Sequence, residues 1–178
     1  LSGIATLTYE FVKKVKKAGI KIYDTRKTIP GLRLLEKYAV SCGGGVNHRF
    51  GLYDMAIIKD NHIKICRKEK LPIGEIISLV KRKIPYGTKL EVEVNDLRDI
   101  KFALLPVVDI IMLDNMNLTQ LKKAVKIIRA VKKNAIIEVS GNINLKNITK
   151  IAKLDIDIIS IGKITHSAPA IDFSLEVM

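Results

Sequence analysis

Apolar residues recur along the chain in two patterns, helical spacing and short continuous runs, which alternate from one end to the other. Leu7, Phe11 and Val15 fall on one face of a helix, which Gly19 ends. A strand over 20–23 follows this glycine. The later strands are predicted over 55–58, 90–94, 107–113, 135–139, 156–161 and, last, 171–177. The later helices are predicted from Pro30 to Gly43, over 73–80, from about 96, over 121–131 and over 145–154.

This alternation of strands and helices predicts a parallel sheet with right-handed crossovers. Two architectures fit it, a (β/α) barrel and an open doubly wound sheet. No glycine-rich dinucleotide fingerprint follows an early strand. Polar residues instead recur where many different strands end, at Asp24, Lys59, Glu93, Asp114, Ser140 and Gly162. Because a barrel gathers all of its strand ends into one mouth, the sequence favours an α/β barrel with parallel strands.

The charge of the chain is strongly basic, with 31 Lys and Arg against 18 Asp and Glu and a net charge of +13. Such a balance is typical of proteins that bind nucleic acid, an anionic membrane surface or small polyanions. The lysine runs at 13–17, 81–83 and 122–123 lie opposite apolar stripes, which predicts a solvated outer face. They lack the interleaved aromatic residues of a single-strand binding platform, which argues against a nucleic-acid partner.

Length and cysteine content narrow the class of protein further. A chain of 178 residues with 48% hydrophobic residues fits one domain with its own core. No apolar run reaches membrane-spanning length, and residues 1–6 do not resemble a targeting segment. Cys42 and Cys66 are the only cysteines and form no close-spaced ligand motif. We therefore expect a cytoplasmic protein with no membrane partner.

Five basic residues follow early strands and are expected to share the mouth of the barrel: Arg26, Lys27, His48, Arg49 and Lys59. Packed cations repel one another, so such a cluster is costly unless an anion neutralises it. Arginine grips a carboxylate with two parallel hydrogen bonds, and lysine acts as a point charge for carboxylate or phosphate. The cluster therefore predicts a pocket for a small ligand with several negative charges.

Two carboxylates, Glu93 and Asp114, end the next strands and face that basic arc if the barrel closes. Glu91 and Glu93 alternate with valine, and the sequence leaves open which of them points into the mouth. Two such carboxylates can hold Mg²⁺ together with substrate phosphate, bind ribose hydroxyls or stabilise a carbocation. They can equally form structural salt bridges with the nearby lysines and arginines.

Small residues follow the last long strands, at Ser140-Gly141 and Gly162, and the run 165–169 comes soon after. Small side chains let backbone N–H groups approach a phosphate closely, and barrels commonly bind phosphate after their late strands. Ordinary tight turns give the same pattern. From the residues alone, the chain is a barrel enzyme with an anionic substrate and a phosphate-bearing co-substrate, of unspecified reaction.

Seven ordered blocks resemble quinolinate phosphoribosyltransferase. They lie at 1–6, 24–33, 43–49, 59–62, 91–94, 111–116 and 165–170. The resemblance implies an incomplete (β/α) barrel of the TIM type, a homodimer whose partner completes the active site, and a separate N-terminal domain. That domain is absent from this chain, so residues 1–178 are expected to be one catalytic α/β-barrel domain, truncated at its N-terminus. We expect little or no turnover from these residues alone.

The resemblance also implies roles for individual residues. Arg26, Arg49 and Lys59 match positions that bind the two carboxylates of quinolinate, and Lys27 and His48 complete that pocket. Glu93 and Asp114 match positions at the ribose and at the Mg²⁺ of phosphoribosyl pyrophosphate. The positions near its phosphates are matched by Ser140, Gly141, Gly162 and His166. The residues expected to be catalytic are Lys27, Glu93 and Asp114. The implied reaction joins the pyridine nitrogen to the ribose, releases pyrophosphate and then loses CO2, giving nicotinate mononucleotide for NAD biosynthesis.

One departure and two alternatives accompany this interpretation. The family usually has a Gly-Gly pair near Ser140, where this chain has Gly141-Asn142. A related group of phosphoribosyltransferase-like proteins linked to molybdenum transport shares the fold but alters the blocks around the basic pocket. The blocks at 47–49 and 59–62 favour the quinolinate enzyme. A non-enzymatic nucleic-acid-binding module would explain the net charge but not the seven ordered blocks.

Overall fold

The computed structural model describes residues 1–178 and shows six strands that alternate with helices. The strands are β1 (Lys21–Tyr23), β2 (Ala56–Ile58), β3 (Leu90–Val94), β4 (Ile110–Asp114), β5 (Ile136–Ser140) and β6 (Ile158–Ser160). The helices are α1 (Ser2–Val15), α2 (Arg33–Cys42), α3 (Asp60–Lys68), α4 (Ile73–Lys83), α5 (Ile100–Ala103), α6 (Leu118–Val131), α7 (Ile148–Ile151) and α8 (Lys163–His166). Short 3₁₀ turns occupy Lys16–Ala18 and Leu97–Asp99.

All six strands are parallel and pair in the order β1-β6-β5-β4-β3-β2. The two strands at the ends of this order, β1 and β2, are neighbours in sequence, as they would be in a barrel that fails to close between them. His48 follows a bridge between Tyr23 of β1 and Val46, yet its ring contacts Glu91 of β3 and Glu138 of β5. The sheet therefore curls around its own inner face, and the predicted incomplete parallel barrel is confirmed.

The two faces of the sheet differ in chemistry. Alternate strand residues that are almost fully buried, such as Val92, Ile111 and Ile137, belong to one apolar core with helix residues such as Phe11 and Ile128. Burying each such side chain contributes about 1.5–3 kcal/mol, so this layer supplies much of the driving force for folding. The intervening strand residues face the inside of the barrel, and several are polar: Tyr23, Glu91, Glu93, Glu138 and Ser160.

Three features of the chain differ from the sequence prediction. The final strand over 171–177 is wrong, because these residues have no regular structure and Leu175 is 96% exposed. Its alternating pattern is that of a strand, but no strand lies beside it to accept the hydrogen bonds. Helices α3 and α8 were not predicted, since α3 is mostly polar and α8 is only four residues long. The Nδ1 atom of His62 caps α3 by accepting the Lys59 N–H at 2.9 Å.

The lysines at 13–14 and 16–17 are exposed, as predicted. Lys81 is not simply solvated, because it forms an ion pair with Asp109. No helix has the combination of length and apolar character that crossing a membrane would require.

Candidate active site

A cavity of about 760 Å³ opens at the carboxyl ends of the strands. All eleven residues predicted for the site line it: Arg26, Lys27, His48, Arg49, Lys59, Glu93, Asp114, Ser140, Gly141, Gly162 and His166. The expected convergence of Arg26, Arg49 and Lys59 is thus confirmed. His48 and Arg49 follow the bridge at Val46, and the other nine residues lie at or after the carboxyl ends of the six strands, so the curled sheet is what brings them together.

Helix α2 and helix α8 fix the loop that carries Arg26 and Lys27. Arg33 of α2 donates through Nη2 to the carbonyl of Arg26 at 3.3 Å and through Nε to Thr28 Oγ1 at 3.0 Å. Thr165 of α8 donates its hydroxyl to the carbonyl of Lys27 at 2.6 Å. These contacts hold the backbone and leave both basic side chains free, and the buried Nε of Arg26 has no hydrogen-bond partner.

Arg49 lies deeper in the same basic arc. Its Nη1 donates to the carbonyl of Met55 at 2.9 Å, but no carboxylate lies within 4.0 Å of the guanidinium. Burial and the neighbouring charge of Arg26 both lower the pKa of Arg49 below its ordinary value. Two arginines that raise each other's energy in this way favour an anion between them.

Lys59 differs from the arginines because it already has an acidic partner. Its Nζ donates to Glu93 Oε2 at 2.8 Å, and the Glu93 side chain is only 7% exposed while that of Lys59 is 49% exposed. The pair therefore joins a residue matched to quinolinate binding with one matched to ribose and metal binding. A bound ligand would have to share Lys59 with Glu93 or draw it away.

Glu93 and Asp114 lie on the same face of neighbouring strands. Glu93 pairs in register with Met112 of β4, and Asp114 is two residues beyond Met112. Asp114 Oδ2 accepts a hydrogen bond from Asn115 Nδ2 at 2.6 Å. Both carboxylates line the cavity, and carboxylate oxygens are the ligands that Mg²⁺ prefers in proteins. The donor set fits this ion.

The loop after β5 has an unusual backbone that suits a phosphate contact. Gly141 and Asn142 have φ angles of 84° and 53°, in the left-handed region. A Cβ at Gly141 would lie 2.7 Å from the backbone nitrogen of Asn115, so only glycine fits there. Asparagine tolerates the left-handed region better than most residues. Asn142 in place of the family's second glycine is therefore compatible with the left-handed backbone of this loop.

The comparisons with known proteins agree with this geometry. Residues 4–176 match the family model described as "Quinolinate phosphoribosyl transferase, C-terminal domain". The chain belongs to this family. It is 44% identical to a probable carboxylating nicotinate-nucleotide pyrophosphorylase of Methanocaldococcus jannaschii, over 100% of the chain and 63% of the relative. It is 40% identical to the probable enzyme of Synechocystis, over 100% of the chain and 59% of the relative.

Solved structures show the same relationship. NadC from Streptococcus pyogenes superposes with a TM-score of 0.87 and 43% identity, over 98% of this chain and 59% of that one. A pyrophosphorylase from Pyrococcus furiosus, at 18% identity and a TM-score of 0.66, shows the shared fold alone. The chain thus spans about 60% of the length of these relatives.

The sequence did not predict the cluster that Glu91 and Glu138 form with His48 at the floor of the cavity. His48 Nε2 lies 3.4 Å from Glu91 Oε2 and 3.3 Å from Glu138 Oε2, and neither contact has hydrogen-bond geometry. Both glutamates are fully buried. The three ligand atoms lie within 4.8 Å of one another, close enough to hold a metal ion. Both Glu91 and Glu93 therefore point inward, which the strand period of two could have indicated.

The charges of this cluster depend on one another. Burial and the nearby Glu138 raise the pKa of Glu91 to about 7. Burial alone would lower the pKa of His48, whereas the two carboxylates, when charged, outweigh it and raise the pKa. The Arg49 backbone N–H opposes the charged ring, because it donates to His48 Nδ1 at 2.9 Å. Because neither carboxylate contact has hydrogen-bond geometry, the Arg49 contact decides the state of the ring. A backbone amide can only donate, so the ring is neutral and carries its proton on Nε2.

Proposed function

We propose that this chain is the catalytic part of an enzyme that transfers a phosphoribosyl group to quinolinate and removes one carboxyl group as CO2. The products are nicotinate mononucleotide, pyrophosphate and CO2, which makes the enzyme a pentosyltransferase of NAD biosynthesis. One observation carries the proposal: all eleven residues matched to the family's site line one cavity whose arginines have no acidic partner. The named relatives are carboxylating pyrophosphorylases, and nothing favours the molybdenum-linked group or a nucleic-acid-binding module.

The substrate end of the proposed site is the basic arc. Arg26 and Arg49 are neighbouring cations without a carboxylate partner, and a pyridine dicarboxylate supplies the two anions that would relieve their repulsion. Lys59 is the third cation, shared with Glu93. Lys27 and His48 complete the arc. Charge-assisted hydrogen bonds to carboxylates contribute about 1.5–3 kcal/mol each, so a dicarboxylate gains more here than a monocarboxylate.

The proposed phosphoribosyl pyrophosphate end lies across the cavity. Ser140, Gly141 and Gly162 leave room for backbone N–H groups to approach phosphate, and His166 lies beside Gly162. Glu93 and Asp114 would hold Mg²⁺, directly or through water, and the ion would neutralise charge on the leaving pyrophosphate when it is bound. Neither residue needs to move to another face of the sheet to do so, because both already line the cavity.

The two bond changes place different demands on these side chains. As the C–O bond to pyrophosphate breaks and the ring nitrogen bonds to the anomeric carbon, positive charge develops on the ribose, where Glu93 and Asp114 stabilise it. Lys27, the third catalytic candidate, stabilises the negative charge that develops on the departing pyrophosphate. Loss of CO2 from the ring carbon beside the quaternised nitrogen then leaves an electron pair, which takes up a proton. Fixed cations around the pyridine ring favour the transition state of this step.

The proposed assembly is a homodimer in the cytoplasm, with an N-terminal domain that covers the site. Exposed apolar side chains on α2 and in the loop before β2 support a protein partner: Leu34 is 69% exposed, Tyr38 66% and Tyr53 75%. The free thiols of Cys42 and Cys66 are consistent with a reducing compartment. Light scattering of the complete gene product tests the oligomeric state.

Turnover by the complete gene product tests the proposed reaction. Quinolinate, phosphoribosyl pyrophosphate and Mg²⁺ are supplied, and nicotinate mononucleotide and CO2 are measured together. We expect equal amounts of the two products, little activity without Mg²⁺, and little activity from residues 1–178 alone. Glu93→Gln and Asp114→Asn should each lower kcat about 100-fold or more, by analogy with other preorganised charge-stabilising groups.

Lys13→Gln, a change on the exposed face of α1, is the matched control and should leave turnover unchanged. Product formation from nicotinate at the same rate, or nucleotide formation without CO2, would contradict the proposed reaction. Full activity of residues 1–178 alone would contradict the proposed role of the N-terminal domain.

A further inference from the structure

Glu138 is a buried carboxylate that the proposed mechanism does not use. It sits on β5, is 0% exposed, and lies on the floor of the cavity beside the ring of His48. Neither of its oxygens has a hydrogen-bond partner. Burying a carboxylate is costly, and an apolar residue of similar size is usually at least as stabilising at such a position. Its presence under the basic arc therefore points to a role other than stability.

The backbone of His48 is held on both sides by a buried ion pair. Asp24 Oδ1 accepts the His48 N–H at 2.7 Å, and Lys37 Nζ donates to the His48 carbonyl at 3.0 Å. Lys37 and Asp24 are themselves 2.5 Å apart, with side chains 2% and 0% exposed. This clamp fixes the backbone of His48 beside the end of β1, but it does not fix the rotation of the imidazole ring.

Two contacts hold the ring itself, and two carboxylates face its remaining nitrogen. The Arg49 N–H donates to Nδ1, and Tyr23 packs edge-on at 5.9 Å between ring centroids. Nε2 is left, and it faces the oxygens of Glu138 at 3.3 Å and Glu91 at 3.4 Å. Glu138 lines the cavity, whereas Glu91 lies behind it. Glu138 is thus the acidic neighbour closest to the space that the substrate would occupy.

We propose that Glu138 is a positioning residue for the dicarboxylate pocket, which holds the imidazole of His48 and, through its Nδ1 contact, the backbone of Arg49. The proposal rests on the proposed function for the identity of the ligand. Glu138 acts on the substrate through these two residues. Its loss should therefore weaken quinolinate binding and leave phosphoribosyl pyrophosphate binding unchanged.

Steady-state kinetics of the complete gene product give the first test. Glu138→Leu removes the carboxylate that faces Nε2, and we expect the KM for quinolinate to rise about tenfold or more with kcat changed less than about threefold. Glu138→Gln keeps the volume and one acceptor oxygen, and should recover most of that loss. Equal KM values for Glu138→Leu and wild type, no recovery in Glu138→Gln, or a parallel rise in both KM values would overturn the proposal.

Nuclear magnetic resonance of the imidazole nitrogens gives a test that needs no substrate. The chain has only three histidines, His48, His62 and His166, so His62→Gln and His166→Gln variants assign the His48 signals. In wild type we expect the proton on Nε2 and an unprotonated Nδ1; Glu138→Leu should shift both signals toward a mixture of tautomers. Unchanged His48 signals in a folded Glu138→Leu variant would sink the positioning role, whatever the substrate is. Shifted signals without turnover of quinolinate would instead count against the proposed function.

Discussion

The two ends of the barrel differ in whether key basic side chains are paired with carboxylates. At the amino ends of the strands, Lys81 pairs with Asp109 at 2.6 Å and Arg129 pairs with Asp157 at 3.0 Å. These aspartates also accept strand amides, from Leu90 at 2.7 Å and Ile137 at 2.8 Å. These two cations have their anions, and the two pairs fasten loops to the starts of strands.

At the carboxyl ends, Arg26, Lys27 and Arg49 line the cavity with no carboxylate within 4.0 Å. Two carboxylates at this end pair with other cations: Glu93 pairs with Lys59, and Asp24 pairs with Lys37. Basic residues therefore stabilise the fold through ion pairs at one end, and at the other end they are available to bind an anion. Mutations at the two ends should accordingly separate stability from binding.

The largest effect is expected at the mouth. Arg26→Ala removes a carboxylate partner, so we expect the Kd for quinolinate to rise about 10- to 100-fold, while that for nicotinate rises less. The melting temperature should stay the same or rise, because repulsion with Arg49 is relieved. Calorimetric titration of the complete gene product measures both affinities. Equal weakening for the dicarboxylate and the monocarboxylate would show that Arg26 does not recognise the second carboxyl group.

A smaller and opposite effect is expected at the amino end. Asp157→Asn weakens two contacts, to Arg129 and to the amide of Ile137, and should lower the free energy of unfolding by about 1–2 kcal/mol. The affinity for quinolinate should not change. Urea denaturation and the same calorimetric titration measure the two quantities. A loss of affinity as large as that of Arg26→Ala would break the distinction between the ends.

The smallest effect concerns pH. Burial would raise the pKa of Asp109, but Lys81 and the Leu90 amide outweigh it and lower the pKa below its ordinary value. A lowered folded-state pKa means that the stabilisation is complete above the unfolded value of about 4 and is lost as the pH falls below it. Because the pair is partly exposed, it contributes less than about 1 kcal/mol. The stability gap between wild type and Asp109→Asn should thus be constant at neutral pH and narrow as the pH falls below about 4. A gap that stays constant there would contradict this assignment.

The sequence predicted the strands and the mouth well, for a physical reason. Strands buried on both faces must be apolar runs, and parallel connections send every strand end to the same side, so Arg26, Lys59 and Asp114 could be placed together. The tail at 171–177 misled because alternation shows that a strand can form, not that a neighbour exists. Glu138 was not predicted as a site residue because its contact with His48 depends on the curl of the sheet. The two residues are 90 positions apart in the sequence.

The structure of the chain with quinolinate bound tests the central claim most directly. We predict one ligand in the cavity, with one carboxylate or the other within 3.5 Å of each of Arg26, Arg49 and Lys59, and with the Lys59–Glu93 contact lengthened or shared. A ligand bound at another place, or one whose carboxylates leave Arg26 and Arg49 without an anion, would contradict it.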